Sequence, residues 1–227
     1  MIVTAGALST DEVAERLGRV RERIAAAGGA DRVAVLAVTK GFGAEAVRAA
    51  VGAGLPDVGE NYAQELAAKA EEVAADRPGP RWHFIGRLQR NKVKLVAPHV
   101  AVWQSVDRLA VGEEIARRAH EATVFVQVAV TDEAGKGGCP PAEVPVLVGG
   151  LGRLGLDVRG LMAVGATGPA EEARPGFRRL RRLADDLGLA EVSMGMSGDL
   201  EVAVEEGSTM VRIGTALFGP RPVRRRM

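Results

Sequence analysis

Cysteine is almost missing from this chain. One residue, Cys139, occurs in 227, so neither an intramolecular disulfide nor a cysteine-rich zinc site can form. Pro140 and Pro141 follow it, which marks a loop position and not an activated nucleophile. Only three histidines are present, His83, His99 and His120, and no HExxH spacing occurs, which argues against a metal centre. There is no charge excess: 30 basic side chains face 29 acidic ones, so a broad basic field for nucleic acid is excluded. The densest basic cluster, Arg221, Arg224, Arg225 and Arg226, reads as a short solvated tail. No apolar run reaches membrane-spanning length, and the first residues lack the basic-then-apolar order of a signal peptide. These absences predict a cytoplasmic protein with no membrane or nucleic-acid partner.

What is present is a rhythm. Val13, Leu17, Val20 and Ile24 recur at three- and four-residue steps, predicting a helix over Asp11–Ala27 capped by Ser9 or Thr10. Apolar, β-branched runs then predict strands at Val33–Val38, Asp57–Gly59, Arg81–Ile85, Val100–Ser105, Val124–Val130, Arg159–Val164, Val192–Met194 and Met210–Ile213. Between them lie helical patterns at Ala44–Ala53, Ala63–Ala75, Asn91–Ala97, Arg108–Glu121, Val144–Leu154, Pro175–Leu187 and Leu200–Glu206. Residues Gly214–Gly219 are expected only to close the chain.

The strands are near-continuous apolar runs, as in a parallel sheet buried on both faces. Eight βα units in about 200 residues fit a (β/α)8 TIM barrel. A doubly wound open sheet is the rival, but its glycine-rich first turn does not match the TKGFG that ends the first strand. No linker divides the sequence, so one α/β domain over residues 1–227 is expected, with a leading helix within 1–30 and a basic tail from 220.

Barrel chemistry sits at the C-terminal ends of strands. Two groups of strand-end residues stand out. Lys40 ends the run VAVLAVTK in a chain that has five lysines against 25 arginines. A lysine desolvated at an apolar barrel mouth favours its neutral amine and can attack a carbonyl. The other reading of Lys40, a rim lysine snorkelling to water, stands equally on position alone. The second group follows strands seven and eight: Met196-Ser197-Gly198-Asp199 and Arg212-Ile213-Gly214-Thr215. Glycines, helix-start amides and the hydroxyls of Ser197 and Thr215 suit a phosphate, although tight turns with a helix cap would use the same residues. Together the two groups point to an aldehyde carrying a phosphate, either pyridoxal 5'-phosphate (PLP) or a sugar phosphate.

The strings VTK, GENYAQE, RWHFIGRLQRNK, SVDR, RGLMAV and SMGMSGDLEVAVEEGSTMVRIGTALFG resemble the pyridoxal phosphate homeostasis family, the alanine racemase N-terminal-domain-like proteins. The resemblance runs in order from about Val33 to Gly219. One departure is Gly41-Phe42-Gly43, where many members carry a threonine, a lysine and a proline. The resemblance implies a fold-type III barrel in which Lys40 forms the Schiff base with the cofactor. It places Ser197, Gly214 and Thr215 around the phosphate, Arg212 at the pyridine nitrogen, and Asn61 and Met162 beside the ring. His83 is expected as a packed, hydrogen-bonded residue beneath the pocket. An arginine donor would keep the ring nitrogen unprotonated, which weakens the ring as an electron sink.

Three functions compete: a non-enzymatic holder that buffers or delivers the cofactor, an amino-acid racemase, and a Schiff-base aldolase acting on a sugar phosphate. A racemase needs a second base. In the racemases that this barrel resembles, that base is a tyrosine from an added β domain, which is expected to be absent here. Tyr62 could substitute only by pointing into the pocket, and within GENYAQE it is expected to pack at the next helix start. The holder is therefore favoured, as a monomer, with apo-forms of PLP enzymes as possible partners.

Overall fold

The computed structural model describes residues 8–133 and 135–221. Eight strands close a parallel barrel in sequence order. They are β1 (Ala34–Val38), β2 (Asp57–Glu60), β3 (Arg81–Phe84), β4 (Val100–Val106), β5 (Thr123–Gln127), β6 (Asp157–Met162), β7 (Glu191–Ser193) and β8 (Met210–Ile213). Closure is by β1 on β8, with Val35 opposite Val211 and Leu36 opposite Arg212. The helices are α1 (Thr10–Ala26), α2 (Ala44–Gly52), α3 (Ala63–Glu72), α4 (Val93–Val96), α5 (Leu109–Ala116), α6 (Val144–Arg153), α7 (Arg174–Asp186), α8 (Leu200–Glu205) and α9 (Thr215–Phe218). The expected barrel and leading helix are therefore both found.

Ser9 is the cap of α1, as the sequence suggested. Its Oγ accepts from the Glu12 N–H at 3.1 Å while Glu12 Oε2 accepts from the Ser9 N–H at 3.2 Å, a reciprocal capping box. The apolar stripe Val13, Leu17, Val20 and Ile24 is buried, and α1 packs against α2, α8 and α9.

Of the boundaries that differ from expectation, three have identifiable reasons. β5 stops at Gln127 because the following residues turn to a loop: Cys139 N–H donates to Gln127 O at 2.7 Å and Ala129 N–H to Cys139 O at 2.9 Å. Cys139 is thereby buried, and burial pushes its thiol up to about 11, where it is inert at neutral pH. α5 ends at Ala116, and Glu121 takes a φ of +55° before β5. Residues after β8 form the one-turn helix α9.

Strand alternation sorts the core into two parts. One set, including Trp82, Phe84, Trp103, Val124, Leu161, Val192 and Val211, belongs to the large cluster shared with the helices. The alternate set fills the barrel interior. Val102, Phe125 and Met162 form its apolar cluster, with Val164 packed against them. His83, Gln104, Gln127, Ser193 and Arg212 are among its buried polar members.

Candidate functional site

The same alternation, continued past the strand ends, builds a cavity of about 680 Å³ at the C-terminal mouth. Its wall includes Val38 and Lys40 after β1, Asn61 after β2, Ile85 and Gly86 after β3, Gln127 at the end of β5 and Val164 beyond β6. Ser197 and Gly198 enter from the loop after β7, and Arg212, Gly214 and Thr215 from β8 and its exit. The volume suits a small cofactor.

Lys40 is half-buried. Burial lowers its amine below the ordinary value of 10.5; the Arg221 and Arg212 guanidinium groups push the same way and Glu60 opposes them. The loop that carries Lys40 is pinned on both sides. Thr39 Oγ1 donates to Glu60 at 2.7 Å, and Gly41 N–H donates to Glu65 at 3.0 Å. Gly41 has a φ of +80°, and a Cβ there would stand 3.2 Å from the Arg221 side chain. A glycine after Lys40 thus admits both the turn and the approach of Arg221. Arg221, expected in a solvated tail, is exposed and also lines the cavity mouth; Arg224, Arg225 and Arg226 lie outside the described residues.

The two exit loops of the expected phosphate group are joined. Ala216 N–H donates to Ser197 Oγ at 3.3 Å. Arg23 of α1 donates to Ser197 O at 3.1 Å and pairs with Glu201 at 2.6 Å, so the leading helix holds this loop. Arg212 is buried and donates to Ser193 O at 2.7 Å, Ser193 Oγ at 2.9 Å and Ala163 O at 2.7 Å. Burial pulls its pKa down to about 10, with Asp199 opposing, so the guanidinium stays charged at neutral pH. Asn61 Oδ1 is buried without a hydrogen-bond partner among the described residues. Gly86 permits this arrangement, because a Cβ there would fall 1.9 Å from Asn61 O.

Six of the seven expected site residues, Lys40, Asn61, Ser197, Arg212, Gly214 and Thr215, line this one cavity. Met162 does not. It is 1% exposed and packs with Val102 and Phe125 one layer down, and Val164, two residues further along the same face, takes its place in the wall. His83 is buried beneath, bonded to Asp57 and Gln104, as expected. Tyr62 is at the start of α3 and also edges the cavity, 56% exposed. Sequence reasoning missed Arg87, Asp107, Gln127, Lys136 and Arg221. Gln127 was legible by alternation from Phe125, had β5 been ended correctly. Of the six charged residues in the wall, Lys40, Arg87, Lys136, Arg212 and Arg221 are cationic and only Asp107 is acidic, a setting for an anion. The described residues contain no group of acidic, histidine or cysteine side chains that could hold a metal, and no helix long and apolar enough to cross a membrane.

The chain matches the family model described as alanine racemase, N-terminal domain, over residues 8–222. It is 44% identical over 220 residues to a pyridoxal phosphate homeostasis protein of Pseudomonas aeruginosa, covering 93% of this chain and 95% of that one. The protein of the same name from Escherichia coli is 37% identical over 232 residues, covering 93% and 97%. Among solved structures, PipY of Synechococcus elongatus with PLP bound superposes with a TM-score of 0.82 at 35% identity, covering 91% of this chain and all of that one. Length, order and fold agree throughout, and the chain belongs to the pyridoxal phosphate homeostasis protein family.

Proposed function

We propose that this protein binds PLP at Lys40 and serves PLP homeostasis by buffering or delivering the cofactor. The observation that carries the reading is the Lys40 amine, its proton affinity lowered by burial and by two guanidinium groups, in a cavity whose charged wall is five-sixths cationic. The residues fit the ligand's chemistry. The Ser197 and Thr215 hydroxyls and the backbone at Gly214 suit its phosphate. The Asn61 Oδ1, without a partner among the described residues, suits a polar substituent on the ring, and Arg212 is a buried donor for the ring nitrogen. The homologues' name and the PLP-bound PipY structure support the same assignment.

When bound, PLP supplies an aldehyde that condenses reversibly with an amine. This chain's part is to present the Lys40 amine, whose proton is held less tightly for its burial, to hold the phosphate and to face the ring nitrogen with a donor that keeps its own proton. That last choice disfavours reactions needing a strong electron sink. Racemisation would also need a second base opposite Lys40. Tyr62 is more than half exposed, and Asp107 is ion-paired with Arg108. Neither is a buried base set against Lys40, so the reading is of a carrier, with racemase as its alternative.

The test is chiral analysis of L-alanine and other L-amino acids incubated with loaded protein, alongside transfer of cofactor to an acceptor apoenzyme. The carrier reading expects transfer without racemisation. Turnover near ~1 per second or above, abolished by Lys40→Ala and sharply reduced by Tyr62→Phe, would establish the racemase instead.

A further inference from the structure

A single column of hydrogen bonds crosses the barrel interior from its lower end to the cavity. Arg212 Nη1 donates to Ser193 Oγ at 2.9 Å, and Ser193 Oγ donates to Gln104 Oε1 at 2.7 Å. Gln104 Nε2 stands 2.8 Å from His83 Nδ1, and His83 Nε2 stands 2.9 Å from Asp57 Oδ1. Four of the five side chains are buried, and Asp57 at the foot of β2 is half-buried.

With a neutral His83 imidazole the column runs in one direction. Arginine has donors and no acceptor, so Ser193 Oγ must accept from it. The serine proton is then free for Gln104 Oε1, which turns the Gln104 amide NH2 toward His83 Nδ1. The histidine proton therefore sits on Nε2, where Asp57 accepts it. Gln104 Nε2 also approaches Met210 Sδ at 3.1 Å, a weak acceptor consistent with that orientation. The facing side-chain polar atoms of the five residues are paired donor to acceptor by this arrangement. Removing the amide would strand a buried hydroxyl proton directly against Arg212.

We propose that Gln104 is a positioning residue for Arg212, acting through Ser193, with His83 and Asp57 fixing which way its amide faces. Ser193 and Ala163 carbonyls hold the guanidinium from the strand side, and the Ser193–Gln104 pair sets the remaining direction in which it meets the cavity. The inference rests on the reading that the cavity takes PLP with Arg212 at the ring nitrogen.

Two ligands that differ in one ring atom isolate the effect: PLP and its 1-deaza analogue, in which C–H replaces the ring nitrogen. Binding of each is measured on wild type, Gln104→Leu and Ser193→Ala. A hydrogen bond from a charged donor predicts that wild type prefers PLP roughly tenfold or more. In both variants that preference should fall at least about threefold. A merely structural loss would weaken both ligands alike and leave the ratio unchanged, and an unchanged ratio overturns the proposal. If Gln104→Leu does not fold, Ser193→Ala, which removes one oxygen atom, decides it.

A ligand-free measurement separates this inference from the cofactor reading. A guanidinium held on several sides rotates slowly, so the Arg212 Nη–H groups should give resolved nitrogen-15 NMR signals that merge in Gln104→Leu. Wild type that binds neither ligand but shows this change would refute the cofactor reading and keep the positioning role. Signals identical in wild type and variant would refute the positioning role.

Discussion

The Lys69 ammonium donates to the carbonyl oxygen of Thr39 at 2.8 Å, so the peptide that carries Lys40 is held by a second lysine. The two amines are set apart by their surroundings. Lys40 faces the cavity, whereas Lys69 is buried and ion-paired with Glu60. Burial raises the Glu60 pKa, outweighing the Lys69 charge that opposes it; Glu60 Oε2 has no hydrogen-bond partner among the described residues.

Lys69→Met should therefore destabilise the folded protein strongly. Breaking a buried pair from one side leaves an uncompensated charge and costs about 3–5 kcal/mol. The double variant Lys69→Met, Glu60→Gln should recover much of that loss. Denaturant unfolding of the four members of the cycle measures it. Additive losses would mean that the pair does not act as a unit.

The lowered Lys40 pKa predicts a pH dependence of definite sign. The folded chain binds fewer protons than the unfolded chain between the depressed value and 10.5. Stability of the ligand-free protein should rise with pH through that window, and Lys40→Met should remove this contribution. Because Arg221 pushes the amine down, Arg221→Gln should move the midpoint of Lys40 reactivity upward, toward 10.5. The rate of PLP association against pH reports it. A midpoint unmoved by the substitution would show that the Arg221 charge does not reach the amine.

Thr215→Val should weaken PLP far more than unphosphorylated pyridoxal. A hydroxyl bonded to a charged acceptor contributes about 1.5–3 kcal/mol. Titration with both ligands compares the losses, and equal losses would remove Thr215 from the phosphate site.

Much of this site was legible because strand-end position is a sequence property. Lys40, Asn61, Ser197, Arg212 and Thr215 could be placed at the barrel mouth from the apolar runs and the family strings. Depth along a strand was not legible. Met162 and Val164 share a face, and only the layering of Val102 and Phe125 decides which of them meets the cavity. The place of exposed Arg221 at the cavity was not legible because it depends on a glycine turn far away in sequence, at Gly41. The Glu60–Lys69 pair was hidden because a charged residue on a helix pattern reads as solvated until its neighbours are known. His83 was foreseen as a packed histidine, but its partners came from two other strands: Asp57 on β2 and Gln104 on β4.

The central claim is that Lys40 carries the cofactor, and borohydride reduction of the PLP-loaded protein followed by peptide mapping tests it most directly. The visible band of the loaded protein should disappear on reduction, with the added mass on the peptide containing Lys40. Lys40→Ala should keep its fold and yield no adduct. A reduced adduct on Lys69, Lys92, Lys94 or Lys136, or a full adduct yield in Lys40→Ala, would contradict the account.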